Sequence, residues 1–182
     1  MHSIIDRILI DSDQIQAKCK ELGEQISKDY EGKNVLLLGL LKGCIPFMSD
    51  LMRHITIPIR VDFMDVSSYH GGTFSTGQVK INKDIDTNIE GVDILIAEDI
   101  VDTGRTLDAV IQLLTLRKPN SIKVVTLLDK PAGRKVDLKP DYVGFTIPPV
   151  FVLGYGLDYE EYYRNLPYIG VIKEEVLTKK EV

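Results

Sequence analysis

Short hydrophobic runs recur along the chain, and segments with a different, helical spacing separate several of them. A run of about four to eight apolar residues bounded by polar ones is typical of a buried strand in a parallel sheet. Such runs predict strands at 8–10, 34–40, 57–66, 94–97, 121–128, 142–145 and 169–172.

Apolar residues that recur at spacings of three and four form the buried face of an amphipathic helix. This spacing predicts one helix that ends near Gly32 and another that runs from Leu107 to a stop at Lys118. Pro46 suits the first turn of a third helix. Because strands alternate with helices, we expect an α/β fold with a largely parallel sheet flanked by helices.

The polar residues between the run at 94–97 and the helix after it carry the clearest chemistry. Glu98 and Asp99 follow the run, and 102–106 reads Asp-Thr-Gly-Arg-Thr. Ligands of open α/β sheets bind at the carboxyl ends of strands. Small hydroxyl residues that open a helix offer hydroxyls, backbone N–H groups and a positive dipole to a phosphate. Two carboxylates beside them suit sugar hydroxyls or Mg²⁺, so this segment predicts a site for a phosphorylated sugar with a metal nearby.

The glycines and acids suggest three other interpretations. A Walker A loop ending at Gly104 would need glycine where Asp99 stands. A dinucleotide fingerprint starting at Gly154 would need glycine where Tyr159 stands. An ordinary strand-to-helix turn whose acids merely cap the helix remains the alternative, although it explains one acid better than three.

Composition narrows the class of protein further. The 182 residues suit a single domain, 1–182, and the net charge of −5 argues against a nonspecific nucleic-acid binder. No apolar run is long enough to span a membrane, and charged residues interrupt the early apolar positions where a secretory signal would lie. Cys19 and Cys44 have no metal-ligand spacing, which favours a reduced, cytoplasmic compartment.

Other polar segments at predicted strand ends are ambiguous on their own. Lys42 and Gly43 follow the second run, and a solvated lysine explains them better than a binding role does. Lys130 and Arg134 follow the fifth run, and a solvated turn explains them as well as a binding role does. The segment 67–77, rich in Gly, Ser and Thr, has the composition of a hairpin tip. Core packing would account for most of 151–164.

The order of two aliphatics, two acids, two aliphatics and Asp-Thr-Gly-Arg-Thr resembles the 5-phosphoribosyl pyrophosphate (PRPP) motif of type I phosphoribosyltransferases. With the other segments, the resemblance extends over nearly the whole chain to the bacterial hypoxanthine-guanine members. It implies the type I fold, with a small hood formed by the chain ends. It also implies purine salvage by Mg²⁺-dependent transfer of the 5-phosphoribosyl group from PRPP to N9 of hypoxanthine or guanine (EC 2.4.2.8). The products would be IMP or GMP and pyrophosphate.

The resemblance assigns roles at the phosphate end of the site. It implies that the nucleotide phosphate and ribose are bound by Glu98, Asp99, Asp102, Thr103, Gly104, Arg105 and Thr106. It implies that pyrophosphate is bound by Lys42, Gly43 and Arg164, beside a cis peptide after Leu41, and that Mg²⁺ is held by Glu98, Asp99 and Asp158. Ser68 and Tyr69 match the start of the family's catalytic lid.

At the base end, the resemblance implies that Lys130 meets the oxygen at C6 of the purine, Phe151 stacks on the ring, and Val152 offers backbone groups. Asp158 belongs to the same binding segment, and Arg134 matches a supporting basic position. Asp102 would face N7 as the catalytic acid or base. Leu153, where relatives often have valine, and the segment 44–46 depart from the family pattern away from the chemistry.

Two other functions stay open at this point. One is a PRPP-sensing regulator that binds the ligand without turnover, although the chain adds no DNA-binding domain and no basic surface. The other is a phosphoribosyltransferase for xanthine, adenine or orotate, against which the Lys130 and Phe151 segments argue. The expected partners are PRPP and a 6-oxopurine, with no nucleic acid and no membrane, and a homodimer or homotetramer is expected.

Overall fold

The computed structural model describes residues 2–68 and 79–178 of the chain. In chain order the elements are β1 (Ile5–Ile10), α1 (Ser12–Asp29), β2 (Val35–Leu41), α2 (Ile45–Met52), β3 (Arg60–Ser68), β4 (Val79–Lys83), β5 (Asp93–Val101), α3 (Arg105–Thr115), β6 (Ser121–Asp129), a 3-10 turn (Pro131–Gly133), β7 (Tyr142–Thr146), β8 (Val152–Leu153), β9 (Ile169–Ile172) and α4 (Glu174–Thr178). Among the described residues, no helix combines the length and apolarity needed to cross a membrane.

The main sheet has six strands in the order β4-β3-β2-β5-β6-β7. All neighbouring strands in it are parallel except β4, which pairs antiparallel with β3 at one edge. The carboxyl ends of the parallel strands therefore meet at one edge of the sheet. Leu41, Val101 and Asp129 end β2, β5 and β6 there, so the segments that follow these strands are brought close together.

Helices cover both faces of this sheet, which explains why its central strands are hydrophobic at nearly every position. Leu37 and Leu95 pack with Phe47 of α2 in a cluster that also contains residues of α1. The neighbouring positions of the same strands point the other way, and Ile94 packs with Val110 of α3 in a second cluster. The predicted α/β fold with a largely parallel sheet and flanking helices is confirmed.

A second, three-stranded sheet of order β1-β9-β8 is built from segments near the two ends of the chain. Its strands pair antiparallel, with Ile10 opposite Ile169 and Val152 opposite Val171. These residues belong to the same hydrophobic cluster as Leu37 of the main sheet, so the small sheet is packed onto the large one. This is the hood that the resemblance implied.

Three predicted strands differ from the observed ones by three or more residues at one end, and the first of them, predicted at 8–10, begins already at Ile5. The strand predicted at 57–66 begins only at Arg60, where its pairing with β2 starts, and Pro58 before it has no N–H to donate to a ladder. The strand predicted at 94–97 extends to Val101, because its pairing with β6 continues to Asp129. As a result the two acids that were predicted to follow the strand lie within it.

Candidate functional site

A pocket of about 150 Å³ opens at the carboxyl end of β5 and at the first turn of α3. It is lined by Glu98, Ile100, Val101, Asp102, Thr103, Gly104, Thr106 and Leu107. Thr103, Gly104 and Thr106, predicted to bind phosphate, thus share one cavity with Glu98, one of the two acids predicted to bind sugar hydroxyls. The cavity has hydroxyls and the start of a helix on one side and carboxylates on the other. This combination is chemically suited to a phosphorylated sugar.

The loop 102–106, predicted to bind phosphate, contains a glycine in the left-handed region and accepts hydrogen bonds from a largely buried arginine side chain. Gly104 has φ of 78°, and a Cβ there would come within 3.0 Å of Arg134 Cδ. Arg134 donates from Nε to the carbonyl oxygen of Asp102 (3.0 Å) and from Nη2 to that of Val101 (3.1 Å). It also contacts the Leu138 carbonyl and pairs with the Asp129 carboxylate. Arg134 therefore supports the loop through its backbone, which gives its predicted supporting role a physical form.

Glu98 and Asp99 point to different parts of the site. They are consecutive residues of β5, so their side chains leave opposite faces of the sheet. Glu98 lines the pocket, whereas the carboxylate of Asp99 lies against the backbone of Gly43, where any Cβ would overlap it. A Cβ at Gly156 would likewise overlap the carbonyl oxygen of Gly43. The loops after β2 and β8 and the end of β5 therefore meet around Gly43, and only glycine permits that approach.

Burial makes both carboxylates costly to ionise. It raises the pKa of Glu98 well above its ordinary value, and the adjacent Asp99 raises it further. Burial also raises the pKa of Asp99, from 3.8 to about 6, against the lowering effect of N–H donation from Ile100, which lies 2.7 Å from Asp99 Oδ1. The charge of Arg164 lowers the pKa of Asp99 and that of Asp158 raises it, so both groups lie near Asp99. A cation beside this pair would stabilise its ionised form.

In metal-free buffer, the contribution of Asp99 to wild-type stability should fall as the pH rises from about 4 to about 6, because the native state binds the Asp99 proton more tightly than the unfolded state does. Asp99→Asn removes this ionisation, so the variant should gain stability over wild type across that interval. Above it the gain should level at roughly 1–3 kcal/mol, since one pKa unit corresponds to about 1.4 kcal/mol. Urea unfolding of both proteins at several pH values measures the difference. The exposed Asp137→Asn serves as the control, and a difference that does not grow with pH would contradict the prediction.

The donor chemistry of this edge fits the predicted Mg²⁺. Oxygen ligands from one or two carboxylates are what Mg²⁺ takes in proteins, and Glu98 and Asp99 supply them in a half-buried setting with raised pKa values. Within the described ranges, however, no three acidic, histidine or cysteine side chains come close enough to form a metal-binding group. Asp158 pairs instead with Arg164, at 2.9 Å.

The predicted pyrophosphate residues lie together with an acid that had no predicted role. The peptide between Leu41 and Lys42 is cis, as the resemblance implied. Lys42 Nζ lies 2.7 Å from Glu161 Oε2, and Arg164 Nη2 lies 3.2 Å from Glu161 Oε1. Arg164 also donates to the carbonyl oxygen of Gly156, at 2.8 Å. No feature of the sequence singled out Glu161, because an acid between tyrosines is unremarkable in an exposed turn.

At the base end, Lys130 Nζ lies 2.7 Å from Asp102 Oδ2. The Asp102 side chain is 40% exposed and that of Lys130 only 17%. Gly133 leaves the room for this pair, because a Cβ there would overlap Asp102 Oδ1. Lys130, which is predicted to recognise the purine, and Asp102, which is predicted to be the catalytic acid or base, are thus direct partners.

Phe151 and Val152 belong to the hood. The ring of Phe151 is 44% exposed and meets Tyr159 edge-on at 5.9 Å, while Val152 is buried in β8. An exposed aromatic face with backbone groups beside it has the features expected for stacking on a purine.

Of the predicted lid, Ser68 ends β3, and its backbone pairs with Val79. Tyr69 and the rest of 69–77 lie outside the described residues.

Comparison with known proteins gives concordant matches. Residues 9–160 match the family described as "Phosphoribosyl transferase domain". A hypoxanthine-guanine phosphoribosyltransferase of Streptococcus pyogenes is 58% identical over 175 residues, which cover 96% of this chain and 97% of that protein. A crystal structure of a hypoxanthine phosphoribosyltransferase from Staphylococcus aureus superposes with a TM-score of 0.94 at 56% identity, covering 97% and 96% of the two chains.

A further relative is much longer than this chain. The bifunctional protein TilS/HprT of Listeria monocytogenes is 53% identical over 179 residues, which are 98% of this chain but 28% of that protein. The chain therefore spans about a quarter of the length of that relative.

Proposed function

The chain belongs to the phosphoribosyl transferase family, and we propose that it transfers the 5-phosphoribosyl group of PRPP to N9 of hypoxanthine or guanine in purine salvage. The observation that carries this proposal is the pocket in which Glu98 and the loop 102–106 face one another, with the Asp102–Lys130 pair at its edge. A phosphate, a ribose and a 6-oxopurine each find suitable groups there. Relatives and solved structures that bear the names of such enzymes support the same assignment.

We propose that the first turn of α3 binds the 5′-phosphate. Thr103, Gly104 and Thr106 line the pocket, and the left-handed Gly104 lets the chain turn directly into the helix. Arg105 lies in the same turn and is assigned to the phosphate by the resemblance. Glu98 would accept the ribose hydroxyls from inside the pocket. Asp99, which faces the loop after β2, would act on the pyrophosphate side of the sugar.

The chemical demand of the reaction is a leaving group that gains negative charge while the sugar becomes cationic. Lys42, Gly43 and Arg164 lie on the side where that charge would develop, and preorganised donors there lower the barrier. Glu98, Asp99 and Asp158 would hold Mg²⁺, which supplies positive charge to the pyrophosphate oxygens. Water must be kept from the cationic sugar, and we retain Ser68 and Tyr69 as the proposed lid for that purpose.

At the base, Lys130 would donate to the oxygen at C6, and Asp102 would exchange a proton with N7. Phe151 would stack on the ring, and the backbone at Val152 would contact its edge. The ion pair between Lys130 and Asp102 holds the two side chains next to each other before the base arrives. Asp158 would contribute from the segment that follows the hood strand.

The wider properties are also proposals. Residues 1–182 are proposed to form a single domain, which is supported by the hydrophobic cluster shared by the two sheets. A cytoplasmic location is supported by two buried cysteines, Cys19 and Cys44, that are both free. We propose a homodimer or homotetramer that acts on small molecules and binds neither nucleic acid nor membranes.

Measuring PRPP consumption with a panel of bases tests the assignment. We expect turnover with hypoxanthine and guanine and release of one pyrophosphate per nucleotide formed. Binding of PRPP without turnover of any base would identify a PRPP-sensing regulator. Preferred turnover of xanthine, adenine or orotate would keep the reaction and replace the substrate.

A further inference from the structure

One carboxylate occupies the space between the two cations assigned to pyrophosphate. Glu161 places Oε2 at 2.7 Å from Lys42 and Oε1 at 3.2 Å from Arg164. Each oxygen of a single side chain thus satisfies a different cation. These are the same charge-assisted contacts that two oxygens of a pyrophosphate would make.

The backbone is shaped to bring this carboxylate to that position. Tyr159 and Tyr162 exchange both backbone hydrogen bonds at 3.1 Å, which closes a two-residue turn. The two central residues, Glu160 and Glu161, have φ of 57° and 67°. Turns with two such residues strongly prefer Asn-Gly, because side chains with a Cβ are strained in the left-handed region. A Glu-Glu pair here is a sequence that the turn itself does not favour.

Contacts around the turn fix its position relative to the two cations. The N–H of Glu161 donates to Asp158 Oδ2 at 2.9 Å. The other oxygen of Asp158 pairs with Arg164, also at 2.9 Å. Arg164 is in turn bonded to the Gly156 carbonyl. Glu161 is therefore attached to Arg164 both through its own side chain and through Asp158, and Lys42 comes to it from the loop after β2.

We propose that Glu161 is an internal competitor for pyrophosphate, which holds Lys42 and Arg164 in the free protein and must leave them before a pyrophosphate group binds. This inference rests on the proposed function, because that function assigns the two cations to pyrophosphate. The recognised chemistry is the diphosphate group, whether it is part of PRPP or the free product. An anion that lowers the affinity for both would also help the product to leave after transfer.

The opposite role is physically possible and predicts the opposite change in the affinity for pyrophosphate. A carboxylate that holds Lys42 and Arg164 ready for the ligand would be a positioning residue, and its removal would weaken the binding of pyrophosphate. A competitor, when removed, leaves the two cations available and also removes a negative charge that repels the ligand. The direction of the change in affinity therefore separates the two roles.

The experiment is calorimetric titration of the whole protein with inorganic pyrophosphate in the presence of Mg²⁺. Glu161→Gln keeps the size of the side chain and removes its charge. We expect about threefold to tenfold tighter binding, within the range that exposed ion pairs can contribute, and a KM for PRPP lowered in the same ratio. High salt should shrink both differences. Glu161→Ala also lacks the amide that the glutamine variant could use for hydrogen bonds, and it should likewise bind pyrophosphate more tightly than wild type.

Glu21→Gln is the matched control, because it breaks another lysine–glutamate pair with an exposed glutamate, that of Lys18 and Glu21 at 2.6 Å on α1. It should leave the pyrophosphate affinity unchanged. Unchanged or weaker binding in both Glu161 variants, with wild type binding normally, would overturn the inference and leave the proposed function standing. Wild-type protein that binds neither pyrophosphate nor PRPP would instead overturn the proposed function, and this inference with it.

Discussion

Asp102→Asn should lower kcat by roughly 10²–10⁴, the usual contribution of a positioned general acid or base. The asparagine has the same shape as the aspartate but cannot take up or deliver a proton at the position proposed for N7. Binding of PRPP should be little affected, because the loop that would hold the phosphate is fixed through its backbone. Arg134 donates to the carbonyl oxygens of Val101 and Asp102, and the substitution leaves both in place.

The position of Asp102 supports this expectation. Its carboxylate lies 2.7 Å from Lys130 and its side chain is 40% exposed, so it is accessible to a ligand. An acid inside a turn proposed to bind phosphate is electrostatically unfavourable for that binding. The turn therefore has a reason other than phosphate binding to carry an acid at this position.

Pre-steady-state kinetics with hypoxanthine and calorimetry with PRPP separate the two effects. The exposed Asp137→Asn provides the same chemical change at a residue that does not line the pocket and should leave both quantities unaltered. If kcat of Asp102→Asn stays within about threefold of wild type, far less than a proton-transfer group contributes, Asp102 does not transfer the proton.

The edge of the sheet where the site lies could be predicted from the sequence. Hydrophobic runs ended directly before Glu98 and one residue short of Lys42 and Lys130, and parallel strands end at the same edge of a sheet. Polar segments that follow such runs therefore lie at one edge even when they are far apart in the chain. The observed order, in which β5 lies between β2 and β6, brings them together.

The separate orientations of Glu98 and Asp99 could not be predicted in the same way. In the local sequence, the two acids follow an apolar run and form a pair. Whether they lie after the strand or within it depends on pairing with β6, which is contributed by residues about thirty positions further along the chain. Because the strand continues to Val101, one acid enters the pocket and the other lies against Gly43.

The roles of Glu161 and Arg134 depend on conformations that their residue types do not indicate. Glutamate is a poor predictor of a left-handed turn, yet Glu161 has φ of 67° and meets two cations because of it. Arg134 acts mainly through backbone carbonyl oxygens, which every residue offers and no sequence pattern distinguishes. Local sequence therefore indicated the groups that carry charge, while the contacts between those groups followed from tertiary structure.

The choice of base should depend on Lys130. An ammonium has three donors and no acceptor, so it can meet the oxygen at C6 of hypoxanthine or guanine. Adenine carries an amino donor at that position, and two donors would face each other in a site where the Lys130 side chain is 17% exposed. A site built to hydrogen-bond one group can reject the analogue lacking it by about 10⁴–10⁵. At C2, backbone carbonyls beside Val152 would accept the amino group of guanine, and water can fill that place for hypoxanthine.

Lys130→Ala should therefore reduce kcat/KM for hypoxanthine by at least about 10²-fold. The substitution leaves the oxygen at C6 of the bound purine without its donor and Asp102 without its partner. The two causes can be separated by comparing bases. If Lys130 acts only by holding Asp102, activity with hypoxanthine and with adenine should fall by the same factor. If Lys130 reads the oxygen, the loss should be confined to the 6-oxopurines, and the preference over adenine should collapse.

Measured kcat/KM values for hypoxanthine, guanine and adenine, in wild type and in Lys130→Ala, decide between these outcomes. Lys139→Ala removes a lysine from an exposed position and should leave all three values unchanged. Calorimetry with PRPP should show nearly the wild-type affinity in Lys130→Ala, because the phosphate pocket is lined by other residues. Wild-type turnover of adenine within about tenfold of hypoxanthine would fall far short of the rejection expected of such a site. It would mean that Lys130 does not read the base and that the proposed specificity for 6-oxopurines is wrong.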